Sequence, residues 1–457
     1  MNILILGIGE VGYNIAKHLV SPDNQVTVVD LNEERLTTLS DLLDVRPICG
    51  HASFPEILEQ AGAAEADILI AATNVDEVNI VACEVCHSLF DVGIKIARIK
   101  NQSYLSPQYQ PTLFQPQNIS VDHIISPELE IARYIAQSLQ VPGSSMALDL
   151  ADNLKLLSVR CLEAAPLANA PLSLINGICP RLSMVVAALQ RHDQLIIPEG
   201  HDTILANDKA YVMTTNEQIN DVMEAFGYTE HQKQSVMLAG CGRVGLTLAQ
   251  ELEQHQPDIH LTIIEKDRVR SEAASRILKQ TSVIHGDVLD TEILQEAGIS
   301  SCDAFVATTH DDHINILSSL LAKQGQAKRV IALLEVMRNT QFYTQLGIDS
   351  LVNQNAVTVS SVLKAIRQHR LRSLYSIENG VEILEAYVSD ASQIVGMAVR
   401  DIAIAGQVCV AVLQRDDELW IRPQNAVVCA KDRLILAAIP SVIAKLEKLI
   451  SGRSFYG

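Results

Sequence analysis

Gly7-Ile8-Gly9-Glu10-Val11-Gly12 recurs as Gly240-Cys241-Gly242-Arg243-Val244-Gly245, and this repetition decides the fold. Further along, Gly50 returns as Gly286, Leu58 as Leu294 and Gly62 as Gly298. Asp67, Thr73, Asp76 and Asn79 return as Asp303, Thr309, Asp312 and Asn315. From Gly50 onward every pair is 236 residues apart (286 − 50, 315 − 79), a spacing that marks an internal duplication.

Each glycine motif stands between a short apolar run and a helical pattern. Asn2 to Leu6 reads as a buried strand, and Val11, Ile15 and Leu19 then fall on one helix face. Ser21-Pro22-Asp23-Asn24 breaks the chain before the β-branched run Val26 to Val29, which ends at Asp30. Ser53 and Glu56 read as a capping box, and Gly62 as the stop of the helix that follows it. Ile68 to Ala72 and Ile94 to Ile99 are two more buried strands. Strands alternating with helices imply an α/β fold with a Rossmann-like, doubly wound parallel sheet in each copy.

A smaller α+β module follows each sheet. Val185 to Gln190, the turn Arg191-His192-Asp193, and Leu195 to Ile197 read as a hairpin, copied by Val410 to Gln414, Arg415-Asp416-Asp417 and Leu419 to Pro423. Strands at Ala210 to Met213 and Leu434 to Ala437 follow, then helices around 218–226 and 442–449. The expected units are residues 1–123, 143–227, 232–350 and 370–453, with joints near 142–145, 229–234 and 370–373.

Composition restricts the function. Hydrophobic residues make up 48% of the 457-residue chain and charged residues 19%, which describes ordinary globular domains. The formal net charge is −19, from 54 acidic and 35 basic residues, so nucleic acid and anionic lipid are repelled. The mean hydropathy of +0.17 is high, yet polar residues interrupt every apolar run well short of the ~18 residues that span a bilayer. No export signal is legible in the opening residues, so a cytoplasmic protein is expected, with any membrane attachment made through a protein partner. Nine cysteines follow no disulfide framework. Cys83-x-x-Cys86-His87 matches a c-type haem attachment motif, but three-residue spacing also puts both thiols on one buried helix face, and haem attachment would require export.

The glycine motif is built for phosphate. Gly7 makes the turn, Gly9 lets a pyrophosphate approach the backbone, and Gly12 permits close packing; the helix start that includes Ile8, Glu10 and Val11 offers free N–H groups and a partial positive charge. Gly240, Cys241, Gly242, Arg243, Val244 and Gly245 repeat the arrangement. Asp30 stands 18 residues after Gly12, and Glu265 stands 20 after Gly245. A carboxylate there accepts ribose hydroxyls and repels a 2′-phosphate, which favours NAD or an adenine nucleotide over NADP. Arg98, at the end of the fifth strand, is placed to pair with a phosphate or stack on adenine, or else to form a surface ion pair; the copy has Ile331-Ala332-Leu333-Leu334-Glu335 and no arginine. The second site is therefore expected to be weaker or to prefer another nucleotide. Thr73-Asn74 and Thr309-His310 end the fourth strands, where they contact ligand, cap the next helix, or do both. His310-Asp311-Asp312-His313 looks metal-like, but acids at a helix start already have a reason to be there, and no metal is expected.

With these residues assembled, the chain closely resembles the TrkA family, the nucleotide-binding components of Trk potassium-uptake systems, and looks like two tandem RCK units (regulators of potassium conductance). The resemblance rests on Gly7 to Gly12, Asp30, Gly50-His51-Ala52-Ser53, the run Ala66 to Asn74, and Arg98, and it spans the whole chain. It brings His51 into the candidate site, with Asp287 of Gly286-Asp287-Val288 at the matching point of the copy. Asn207-Asp208 and Lys431-Asp432 stand where the family commonly has Gly-Asp. The resemblance implies NAD(H) and ATP or ADP as ligands. It also implies a homotetrameric cytosolic ring docked beneath a Trk-type transmembrane potassium transporter, with a gating role and no catalysis. Two alternatives share the same domain pattern: an NAD-dependent oxidoreductase, and an RCK-type regulator of another cation transporter. The first needs an acid/base group beside the nicotinamide, and the short second modules show no His-Asp or Tyr-Lys set for it.

Overall fold

The computed structural model describes residues 1–451 apart from 21–23, 107, 116, 152, 193, 229–233, 257, 336–339, 367–370, 378–379 and 417. The break read at Ser21-Pro22-Asp23 and the joint at 229–233 lie outside the described residues, as do Arg370, Asp193 and Asp417.

In the first half, six strands run in chain order Asn2–Leu6, Gln25–Asp30, Arg46–Cys49, Ile68–Ala71, Ile94–Arg98 and His123–Ile125. Their spatial order is third, second, first, fourth, fifth, sixth, and all pairs are parallel. Ser235–Ala239, His260–Glu265, Ser282–His285, Ala304–Ala307, Arg329–Leu334 and Ser350–Asn353 form the second half's sheet in the same order. The doubly wound sheets read from the sequence are present in both halves. The order in which successive strands are added reverses between the first and fourth strands, and that switch point opens the crevice in which such sheets bind ligands.

Parallel sheets need both faces covered. One face of each is covered by its own helices, such as Asp76–Phe90, where Cys83 and Cys86 are fully buried. Burial raises the Cys86 thiol to about 12 and the Cys83 thiol further still, so both behave as core residues. The other face is covered by further helices of its own, such as Glu10–Leu19 and Arg243–His255, together with one borrowed from the other half. Pro127–Leu139 follows the first sheet's last strand, yet Ile131, Ala132, Ile135, Ala136 and Leu139 are buried in the core of the second sheet. Gln354–Ile366 follows the second sheet and buries Val359, Val362 and Ile366 in the core of the first. The halves thus exchange a helix.

Each small lobe is a five-stranded antiparallel sheet. The hairpins are Met184–Arg191 with Gln194–Ile196, and Val408–Arg415 with Glu418–Ile421. Helices Ile219–Ala225 and Pro440–Ser451 lie at the expected places. The joint near 142–145 is shorter than expected, because a strand already begins at Ser144. The inner faces of the two sheets share one core, which contains Leu154, Leu156, Val185 and Met213 from one and Val381, Ile383, Val412 and Ile435 from the other. Arg329 fastens the halves: Nη1 donates to Ser138 O and Nη2 to Ser145 O, both at 2.7 Å, and burial lowers its pKa to about 10.

Two expectations fail locally. Ser53 makes no capping box: Phe54 is the residue preceding helix Pro55–Gln60, and Ser53 Oγ lies instead 3.0 Å from His51 Nδ1. Thr73 and Asn74 do not cap helix Asp76–Phe90, which has no side-chain cap; in the copy, Asp311 caps by accepting from the backbone N–H of His313 and Ile314.

Candidate ligand sites at the sheet edges

The glycine turn is set by contacts that no side chain could share. Gly7 has φ +90, and a Cβ on it would lie 2.8 Å from the Cα of Thr73, so the end of the fourth strand abuts the turn. A Cβ on Gly12 would lie 1.9 Å from Gly7 O. Gly9 is different: nothing lies within 4 Å of a Cβ built there, its φ of −73 suits any residue, and helix Glu10–Leu19 starts with no side-chain cap. The protein itself has no steric use for that glycine. An open space remains in front of uncapped N–H groups, a position whose partial positive charge suits an anion such as a phosphate. Gly242 and helix Arg243–His255 repeat every element of this, with Gly240 at φ +92.

The acidic residues prove to be braces. Asp30 Oδ2 accepts from the N–H of Ile8 at 2.6 Å and Oδ1 from that of Asn32 at 2.8 Å. Glu265 repeats this with Cys241 N–H at 2.6 Å and Asp267 N–H at 2.8 Å. Each carboxylate oxygen keeps a second lone pair, so the brace and a ribose contact are compatible. Ile8, Val11, Cys241 and Val244 are buried, and these positions offer a ligand their backbone only.

At the ends of the fourth and fifth strands, Asn79 acts as a clamp. Its Oδ1 accepts from Thr73 N–H at 3.0 Å and Thr73 Oγ1 at 2.7 Å, and its Nδ2 donates to Thr73 O and Arg98 O at 3.2 and 2.8 Å. Asn315 does the same with Thr309 and Leu333. Leu333 therefore occupies the place of Arg98, and the second cleft has a buried leucine where the first has a guanidinium. Recurrence identified these asparagines as repeat markers; only the strand geometry gives them a role.

Arg98 makes one long contact, from Nη1 to Asn74 Oδ1 at 3.4 Å, and its buried Nε has no partner among the described residues. Lys100, which the sequence reading passed over, donates to the same Asn74 Oδ1 at 3.1 Å. Burial lowers the pKa of both cations, and Lys100 is lowered further by Arg98 and by Arg243 of the second half; Glu128 and Asp76 oppose the shift in each. Arg243 does not face its own cleft: it lies 3.5 Å from Glu128, at the start of helix Pro127–Leu139. Glu10, its equivalent, accepts from Asn355 Nδ2 at 2.6 Å at the start of helix Gln354–Ile366. His51 stacks on Phe54, Asp287 pairs with Lys266 at 2.7 Å, and His310 is exposed. Among the described residues, no group of three or more His, Cys, Asp or Glu is arranged to hold a metal, and Asp312 is engaged with Glu335 N–H at 2.9 Å.

The TrkA-N domain model matches residues 3–127 and again residues 236–354. The chain belongs to the TrkA family. It is 37% identical over 451 residues, 98% of each chain, to the Trk system potassium uptake protein TrkA of Azorhizobium caulinodans. The proteins of that name from Halomonas elongata and Vibrio alginolyticus are 34% and 32% identical, with full coverage of both chains. Among solved structures, the GsuK RCK domain matches with a TM-score of 0.60 at 18% identity, covering 99% of this chain and 95% of that one. The GsuK channel bound to NAD matches at 0.61 and 17%, covering 99% and 79%. At such identities the likeness is one of fold. The family read from the sequence is borne out. Among the described residues, no helix is long and apolar enough to cross a membrane.

Proposed function

We propose that the chain is the regulatory subunit of a Trk-type potassium transporter, binding NAD(H) and adenine nucleotides in its sheet-edge clefts and performing no chemistry of its own. The observation that carries this is the open space at Gly9, a glycine without an internal steric purpose ahead of an uncapped helix. In the first cleft the phosphates lie over Gly7 to Gly12, the ribose reaches Asp30, and Arg98 and Lys100 meet the far phosphate, aided across the boundary by Arg243. Thr73 and Asn74 line the opposite wall. The second cleft, with Leu333 for Arg98, binds more weakly. The division into units at 1–123, 143–227, 232–350 and 370–453 belongs to the same proposal, as does assembly into a tetrameric ring on the cytoplasmic face of the membrane.

A ligand gates only if it binds one arrangement of the ring better than another. Because the cleft is walled by both halves through Arg243 and Glu128, its occupancy bears on how they sit together. The NAD-bound GsuK channel, of like fold, supports NAD as one ligand. The oxidoreductase reading is disfavoured by the cleft's polar side chains, which serve as braces, clamps and phosphate-type cations. The test is potassium uptake in cells lacking this gene, complemented with wild type or with Gly9→Val. Uptake should need the gene and fail with the variant. Normal uptake without the gene defeats the transport role; full rescue by the variant defeats the role given to the cleft.

A further inference from the structure

The helix after each glycine motif opens on a contact with the other half. Arg243, first in helix Arg243–His255, lies 3.5 Å from Glu128, the second residue of the exchanged helix Pro127–Leu139. Glu10, first in helix Glu10–Leu19, accepts from Asn355 Nδ2 at 2.6 Å, and Asn355 is second in the exchanged helix Gln354–Ile366. Glu128 belongs to the first cleft as well: it follows strand His123–Ile125, whose Ile125 pairs in register with Arg98, and its charge acts on Arg98 and Lys100. Asn355 Nδ2 likewise reaches Glu335 O at 3.3 Å, and Glu335 takes the place of Lys100 in the second cleft. One residue at the start of each exchanged helix therefore joins the strand end of one cleft to the glycine-motif helix of the other. The two bridges differ in kind. The Asn355 amide has a hydrogen for each side and serves both at once. The Arg243 charge cannot be in two places. Turned toward Glu128 it adds to the cations that face outer phosphates in the first cleft; turned back over its own helix start it meets a phosphate at Gly242. Glu128 Oε2 is buried with no partner among the described residues, so withdrawing Arg243 leaves a buried acid opposed to any phosphate beside Arg98 and Lys100.

We propose that the two clefts compete for Arg243 and are negatively coupled, so that an adenine nucleotide polyphosphate in either one lowers the affinity of the other. The inference rests on the nucleotide reading above and adds its regulation. Linkage makes the effect reciprocal: the factor by which the first ligand weakens the second is the factor by which the second weakens the first. The chain then responds to which cleft is filled more than to how many are.

The test is calorimetric titration of the full chain with ATP. Gly242→Val blocks the second cleft and Gly9→Val the first, each at a glycine with open space around it, and the two variants give the affinity of each cleft alone. The affinity of the wild type for filling both clefts should fall about fivefold short of the product of those two constants. Arg243→Ala, introduced into all three backgrounds, should abolish the shortfall. Arg243→Lys should keep part of it, and Asn355→Ala should leave it in place. Melting curves check that every variant is folded. A wild-type shortfall below about twofold, or one that survives Arg243→Ala, overturns the coupling and leaves the nucleotide reading standing. So does binding by the Gly242→Val chain with none by the Gly9→Val chain, since one working cleft has nothing to couple to. Failure of both single-cleft chains to bind overturns the nucleotide reading and the coupling together.

Discussion

Arg243, the residue after the central glycine of the second motif, lies 3.5 Å from Glu128, which opens a helix of the first half. The arginine is 69% exposed and the glutamate 9%. Glu128 Oε2 is buried without a partner among the described residues, and the same carboxylate influences Arg98 and Lys100. Three cations and two buried acids, Glu128 and Asp76, thus meet at the mouth of the first cleft, one cation belonging to the other half. Arg243→Ala should reduce ATP affinity at the first cleft severalfold and AMP affinity much less, since AMP lacks the outer phosphates. Titration of the full chain with both nucleotides decides this, and a uniform loss would assign Arg243 a structural role only.

The glycines of the first motif separate folding from binding. Gly12→Ala places a methyl 1.9 Å from Gly7 O, so the helix must shift, and a loss of about 1–3 kcal/mol or more is expected. Gly9→Ala meets no atom within 4 Å. It should melt like the wild type while losing nucleotide affinity. A Gly9 variant that unfolds would show that the open cradle is not what the glycine is for.

Glu253 carries the pH dependence of one loop. Burial alone would raise its pKa, but hydrogen bonds from Thr281 Oγ1 and from the N–H groups of Gln280, Lys279 and Thr281 outweigh it and hold the carboxyl below the usual 4.5. A group with a depressed folded pKa contributes stability above its unfolded value and loses it as pH falls through the folded one. Glu253→Gln should therefore cost about 1 kcal/mol at pH 7 and progressively less below pH ~4, as read from urea unfolding at several pH values.

Lys431 adopts φ +71 and Asn207 φ +69 at matching turns of the two lobes. Each precedes an aspartate, Asp432 or Asp208, that takes a bidentate arginine, Arg415 or Arg191, so the turn geometry is fixed. Lysine tolerates this backbone poorly and asparagine better. Lys431→Gly should stabilise the chain by about 0.5–1 kcal/mol, and Asn207→Gly by less. Equal shifts in melting temperature would contradict the argument.

Sheets, glycine turns and small lobes were legible because each leaves a local trace: apolar runs, recurring glycines, hairpin turns. Strand Ser144–Ala151 was missed although Met146, Leu148 and Leu150 alternate, because Pro142-Gly143 drew attention to a joint. Helix Pro127–Leu139 carries Pro127 at its start and Ile131, Ile135 and Leu139 on one face. Periodicity says that such a face is apolar; it does not say whose sheet will cover it. Lys100 and Glu128 escaped for a related reason: both face Arg243, more than a hundred residues away, and no window of sequence holds all three. Asp30 was read as a ligand to ribose, and its brace to Ile8 depends on a backbone direction that residue types do not encode.

The exchanged helices also say what this gene can be divided into. Cut between the duplicates, either piece would keep a sheet with part of one face uncovered and a helix whose Ile131 and Leu139, or Val359 and Val362, had lost their seat. Two copies of a single piece could trade helices and restore each other; the tandem chain makes that exchange within one molecule, and its halves need not be identical, as Arg98 and Leu333 at matching positions show.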